Sequence, residues 1–124
     1  MKMTFKTCEI CGNTVAVVSD SGMPISCCGQ HMTEIMPNTV DAATEKHIPV
    51  ITRKDNYVMV SFGEMAHPMI ESHFIEWIAI ETTKGNQRKE LKPGDSPIAC
   101  FALCNNEEII HAYAYCNIHG LWMK

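Results

Sequence analysis

Hydrophobic and polar residues alternate along much of this chain in the short period of β-strands. Tyr57 to Phe62 (YVMVSF) is a β-prone run bounded by Asp55-Asn56 and Gly63. His73 to Glu81 (HFIEWIAIE) is rich in aromatic and β-branched residues, and Lys84-Gly85-Asn86 closes it. Pro93-Gly94-Asp95-Ser96-Pro97 is a turn cluster ahead of Ile98 to Leu103, and Asn105-Asn106 turns the chain into Ile109 to Tyr115. Strands this short, spaced this way, predict an antiparallel sandwich. Helical periodicity is weak throughout; Met69-Ile70-Glu71-Ser72 is read as a single helical turn. Nearer the start, Thr14 to Val18 is β-prone, Ser19 to Pro24 reads as a turn, and Ile25-Ser26-Cys27 returns as a second short strand.

The pattern divides the chain. Residues 1–36 hold too little apolar surface to offset the entropy of ordering them, so this small domain needs a staple. Residues 37–44 are small and polar with no strand or helix period, and read as a linker to a second domain over 45–124. The fold class expected is all-β.

Length and charge narrow the field. A chain of 124 residues holds one real core and a small appendage. No apolar run approaches the roughly 20 residues of a membrane span. The start, Met1 to Lys6, lacks the pattern of a secretory signal, so a cytoplasmic address is expected. The formal net charge of −4 offers no basic face for nucleic acid.

Seven Cys and six His are more than packing asks of so short a chain. In a reducing compartment, clustered thiols are metal ligands more often than disulfides, and an odd count argues against a fully paired disulfide framework. Cys8-Glu9-Ile10-Cys11 has the C-x2-C spacing that turns two sulfurs toward one ion, with Gly12 freeing the backbone behind it. Cys27 and Cys28 are adjacent, so both reach one ion only if the backbone bends, which Gly29 permits. A four-sulfur site distorted from a tetrahedron is expected. Ligand softness leaves zinc and iron both open there.

A second set of donors falls in three clusters: His47; His67 and His73; and Cys116 with His119. Singly, each histidine is a common surface or core residue, and Cys116 a small buried hydrophobe. Jointly they suggest a nitrogen-rich metal site. Cys116-x2-His119 is a knuckle-like chelate with Gly120 behind it, and Pro68 stiffens the loop after His67. Four imidazoles and a thiolate are too many donors for tetrahedral zinc. They suit a square-pyramidal iron with the sulfur axial and one position open.

These motifs resemble those of one known family. Cys8-x2-Cys11-Gly12-Asn13, Cys27-Cys28-Gly29, Glu45-Lys46-His47-x-Pro49, His67-Pro68-Met69, His73-x3-Trp77, Leu91-Lys92-Pro93-Gly94-Asp95 and Cys116-Asn117-x-His119-Gly120-Leu121-Trp122 together resemble desulfoferrodoxin, the two-iron form of superoxide reductase. The resemblance implies a desulforedoxin-like N-terminal domain with iron bound by Cys8, Cys11, Cys27 and Cys28. It implies an immunoglobulin-like β-sandwich holding a catalytic iron through His47, His67, His73, His119 and Cys116. It further implies that Glu45 is a sixth ligand in the ferric state and that Lys46 assists superoxide at the open position. Reduction of superoxide to hydrogen peroxide, electrons from rubredoxin or a similar small donor, and a homodimer belong to the same implication.

Four residues fall outside that pattern. His31 and His111 are read as surface or hydrogen-bonded histidines, and Cys100 and Cys104 as buried free thiols on one strand face. The nine Met and Trp77 are read as core filler, and Trp122 as packing beside the catalytic iron.

Overall fold

Twelve β-strands and no helix are found among the residues described, 3–39, 47–62 and 67–124, of a computed structural model of the chain. Among the described residues, no helix is long and apolar enough to cross a membrane. The chain divides into two units, Met1–Met36 and Pro37–Lys124.

In the first unit β1 (Thr4–Thr7) pairs with β2 (Thr14–Val17) on one side and β5 (Thr33–Glu34) on the other. β3 (Ser26–Cys27) and β4 (Gln30–His31) form a separate hairpin. Phe5 and Cys8 are buried, while Ile10, Val18 and Met23 are exposed, so apolar packing here is thin. Such a unit depends on a cross-link for its order.

The second unit is a sandwich of two antiparallel sheets. β6 (Pro49–Lys54), β7 (Tyr57–Phe62) and β10 (Ala99–Ala102) make one sheet, in the order β10-β7-β6. β8 (Ile75–Thr82), β9 (Gly85–Glu90), β11 (Ile109–Cys116) and β12 (Gly120–Met123) make the other, in the order β12-β11-β8-β9. This three-plus-four arrangement is immunoglobulin-like, with β9 paired to β8 in the larger sheet. Alternation sends Val58, Val60 and Phe62 of β7 inward, against Ile78 and Ile80 of β8, Phe101 of β10, and Ala112 and Ala114 of β11. Asn38 adds a parallel bridge to Trp122 at the edge of β12; the rest of the stretch read as a linker, from Val40, lies outside the described residues.

Several expectations need correction. Met69–Ser72 is not helical: Ile70 and His73 exchange backbone hydrogen bonds of 3.1 and 3.0 Å across a tight turn. Cys100 and Cys104 are exposed. On β10 the inward positions belong to Ala99 and Phe101, which leaves Cys100 facing out, and Cys104 lies beyond the strand in a turn. Trp77 is half-buried and lies outside the inner core, its ring stacked on Tyr115 with centroids 5.6 Å apart. The methionines are mixed: Met123 is buried and Met69 packs on the core, but Met23 and Met36 are exposed. The two remaining histidines are as expected: His31 is exposed, and His111 bonds Glu81 at 3.0 Å.

Candidate metal centres

In the first unit, the six residues between β1 and β2 turn back on themselves, with Cys8 N–H donating to Asn13 O at 2.8 Å and Gly12 N–H to Cys8 O at 2.9 Å. The turn brings the Cys11 N–H to within 3.5 Å of the Cys8 sulfur. Opposite it, Cys28 and Gly29 join β3 to β4, both at positive φ, 53° and 77°. Two consecutive residues at positive φ mark the tight two-residue hairpin whose twist suits its strands. That is the bend an adjacent cysteine pair requires, and Cys28 itself takes up half of it.

The four sulfurs lie within 4.8 Å of one another. Cys11 and Cys27 sulfurs are 3.7 Å apart, and those of Cys27 and Cys28 are 4.0 Å apart. A disulfide needs about 2.05 Å. Sulfurs at the corners of a tetrahedron around a metal, with bonds of about 2.3 Å, sit about 3.8 Å apart. The spacing is that of a tetrathiolate metal centre. Asn13 Nδ2 also lies 3.7 Å from the Cys27 sulfur, a weak donor to developing thiolate charge.

The second cluster forms at one end of the sandwich. Register explains why: Pro49 at the start of β6 pairs with Phe62 at the end of β7, and Cys116 at the end of β11 pairs with both Ile75 and Gly120. The segment before β6, the β7–β8 connection and the β11–β12 hairpin therefore open at the same end. They carry His47, His67 with His73, and Cys116 with His119. A bulge helps: the register shifts between Tyr115 and Cys116, leaving Glu76 without a partner on β11 and turning Ile75 onto the core face. Bulges of this kind re-aim side chains next to sites.

The donor atoms of His47, His67, His73 and Cys116 lie within 4.8 Å of one another. His119 joins them, its Nδ1 3.7 Å from the Cys116 sulfur. The four imidazoles are arranged as a square. Neighbouring centroids are 4.8 Å apart for His47 and His67, 4.7 Å for His67 and His73, 5.1 Å for His73 and His119, and 4.5 Å for His119 and His47. Each neighbouring pair meets edge to face, whereas His47 and His73 are 6.3 Å apart and tilted by only 30°, as across a diagonal. His47 and Cys116 are fully buried and His67 nearly so. His67 Nδ1–H donates to Pro68 O at 2.8 Å, which fixes the tautomer and leaves Nε2 with its lone pair for a ligand. Four nitrogens in a square and one sulfur fit a square-pyramidal iron; the same set has one donor too many for tetrahedral zinc. Glu45 and Lys46 lie outside the described residues.

The scaffold and its two ligand clusters define a non-haem metal protein of two centres, one sulfur-bound and one nitrogen-rich. Residues 39–124 match the family described as Desulfoferrodoxin, and residues 2–35 match Desulfoferrodoxin, N-terminal domain. This chain belongs to the desulfoferrodoxin family. It is 44% identical over 121 residues to the desulfoferrodoxin of Syntrophotalea carbinolica, covering 98% of this chain and 94% of that one. It is 48% identical over 117 residues to a desulfoferrodoxin homolog of Archaeoglobus fulgidus, covering 94% and 92%. The crystal structure of the superoxide reductase from Treponema pallidum superimposes with a TM-score of 0.85 at 31% identity, covering 99% of this chain and 98% of that one. The tetrathiolate and His4Cys clusters match the two iron centres of the family.

One residue beside the nitrogen-rich cluster carries no marked signal in the sequence: Asn117, between the two ligand candidates of the hairpin. Its amide contacts the backbone beside His73. The only signal was a side chain able to both donate and accept, set inside a chelating turn.

Proposed function

We propose that this chain is a superoxide reductase, adding one electron and two protons to superoxide and releasing hydrogen peroxide. The observation that carries this reading is the square of four imidazoles with the Cys116 sulfur against it. The likeness to the Treponema pallidum superoxide reductase supports it.

In this reading His47, His67, His73, His119 and Cys116 hold the catalytic iron, with Glu45 as a sixth ligand in the ferric state. Cys8, Cys11, Cys27 and Cys28 hold the second iron. When bound at the nitrogen-rich cluster, iron supplies one electron at a time and an open position for a small anion. The protein's residues do the rest. His67, whose Nδ1–H is held by Pro68 O, presents its Nε2 lone pair to the site. The Cys116 thiolate would donate electron density to an iron held there, the lever thiolates also exert in haem proteins. Lys46 places a cation beside the open position, where it attracts an anionic substrate to a chain whose net charge is −4. Residues 1–36 form the tetrathiolate domain, 37–44 the linker and 45–124 the catalytic domain. Electrons come from rubredoxin or a similar small donor, and the protein works as a homodimer in the cytoplasm.

The test is to mix the reduced protein with a pulse of superoxide and follow peroxide and oxygen together. One peroxide per electron supplied, with no oxygen evolved, is the expected result. Oxygen released without added reductant identifies a dismutase instead. A reduced protein inert to superoxide removes the assignment.

A further inference from the structure

Asn117 and Phe74 meet where β8 and β11 cease to pair. The last strand pair is Cys116 with Ile75, and just beyond it Asn117 N–H donates to Phe74 O at 3.1 Å. Here β11 turns into the hairpin that carries His119, and Phe74 N–H donates to Asn117 Oδ1 at 2.9 Å. The side-chain amide stands in for a strand carbonyl. Its other end, Nδ2, donates to Ser72 O at 3.2 Å. One carboxamide therefore holds the backbone on both sides of His73.

No other short side chain does this. Asp offers acceptors and no donor, and Ser has a single hydroxyl. The contact is also separable from folding. The Ile70–His73 turn is closed by its own two backbone bonds, and Asn117 is exposed, outside the core. Loss of the amide should leave the turn, the sandwich and the Asn117 N–H bond to Phe74 O in place, and loosen the His73 segment against the Cys116–His119 hairpin.

We propose that Asn117 is a positioning residue for the nitrogen-rich centre: its carboxamide locks Ser72 to Phe74 onto the hairpin and so sets His73 against Cys116 and His119. This rests on the ligand set proposed above. It also accounts for a packing fact, since the His73 and His119 rings, on segments 43 or more residues apart, meet edge to face at 5.1 Å.

The experiment uses the two-centre protein loaded with iron and the variants Asn117→Ala, Asn117→Asp and His73→Ala. Two quantities are read: the thiolate-to-iron absorption band of the oxidised nitrogen-rich centre, and the rate at which that centre yields iron to a chelator. The band of the tetrathiolate centre is the internal control. Asn117→Ala should shift the first band and speed release about tenfold, in the range known for groups that orient metal ligands. Asn117→Asp, which keeps the acceptor for Phe74, should fall between. The tetrathiolate band should not change. A wild-type band and release rate in Asn117→Ala, with the band lost in His73→Ala, overturns the positioning role and leaves the ligand set standing. A wild-type band in His73→Ala overturns the ligand set and this proposal with it. Should Asn117→Ala fail to fold, Asn117→Asp decides alone: faster release supports the proposal, and an unchanged rate overturns it.

Discussion

The indole of Trp122 lies stacked on the imidazole of His47, ring centroids 4.9 Å apart and planes 17° from parallel. Trp122 on β12 is paired with Ala114 on β11, which sets its side chain on the core face beside the metal end of the sandwich. It covers one side of a fully buried ring and keeps water from it. Its Nε1 is buried with no hydrogen-bond partner among the described residues, so the indole acts there by shape and area. Trp122→Ala should therefore cost about 3–5 kcal/mol of stability and speed iron loss from the nitrogen-rich centre. Trp122→Phe keeps a ring over His47 and should retain most of both. Denaturant midpoints and chelator release measure the two effects; equal loss in Ala and Phe variants would contradict a stacking role.

The tetrathiolate cluster makes a prediction about pH. Without metal, Cys8 is lowered to about 6, chiefly because the backbone N–H groups of Cys11 and Ile10 donate to its sulfur. Cys28 is pushed up to about 12 by its hydrogen bonds with the side chains of Cys11, Cys8 and Cys27. Between about pH 6 and 9 the metal-free centre thus holds a thiolate at Cys8 and a thiol at Cys28. Metal must displace the Cys28 proton, so apparent affinity should rise with pH, about tenfold per unit for each proton displaced. Competition against a chelator at pH 6, 7 and 8 checks this, and a flat profile contradicts it. Cys28→Ser should lower the metal content from two ions per chain to one and disorder the first unit, while the spectrum of the other centre persists.

At the opposite end of the sandwich, Glu107 ties three connections together. Its carboxylate accepts from the Thr82 hydroxyl at the end of β8 and from the Cys104 N–H at 2.9 Å, while Arg53 donates to its carbonyl at 3.1 Å. The Thr82 hydroxyl and then the Cys104 N–H hold its pKa below the ordinary carboxylate range. The folded state therefore binds this proton less readily than the unfolded chain. The stabilisation is fully present above the unfolded value of about 4.3 and is lost as pH falls through the lower folded value. Glu107→Gln should melt below the wild type at neutral pH, and the gap should narrow as pH falls below about 4. Thermal unfolding from pH 3 to 7 follows it; a gap that does not narrow in acid would exclude the carboxylate as the cause.

The inner strands were legible because their chemistry matches their environment. Tyr57–Phe62 and Ile109–Cys116 alternate, or run apolar, since each has a partner strand on both sides and a core beneath. Gly85–Glu90 was not read as a strand. It is an edge strand with Arg88, Lys89 and Glu90 in water, and its pairing to β8 is a tertiary fact that local pattern does not carry. Nor was β12 read as a strand: it begins directly behind the Cys116–His119 knuckle, and its four residues are too few for a period. Both donor clusters were legible as residue types at chelating spacings. The square of imidazoles was not, because it follows from which strand ends share one end of the sandwich. Asn117 escaped for the same reason: its partners, Ser72 and Phe74, are far away in sequence.

The resemblance that places Lys46 beside the open position has a kinetic consequence. Superoxide carries one negative charge, and this chain is net negative too, at −4. Charges more than about 10 Å away are screened at 0.1 M salt, so the general surface neither repels nor guides the anion strongly. On the role proposed for Lys46, its single ammonium would then dominate the local field. Lys46→Ala should slow the second-order reaction of reduced protein with superoxide by about tenfold or more and flatten or reverse its dependence on ionic strength. Iron content and the visible spectrum should be unchanged, because the residue is not among the proposed ligands. Lys46→Arg, which keeps the charge, should preserve the salt dependence even if the rate falls. If Lys46→Ala reacts at the wild-type rate with the wild-type salt slope, the anion is drawn in by other charges and the role assigned to this lysine is wrong.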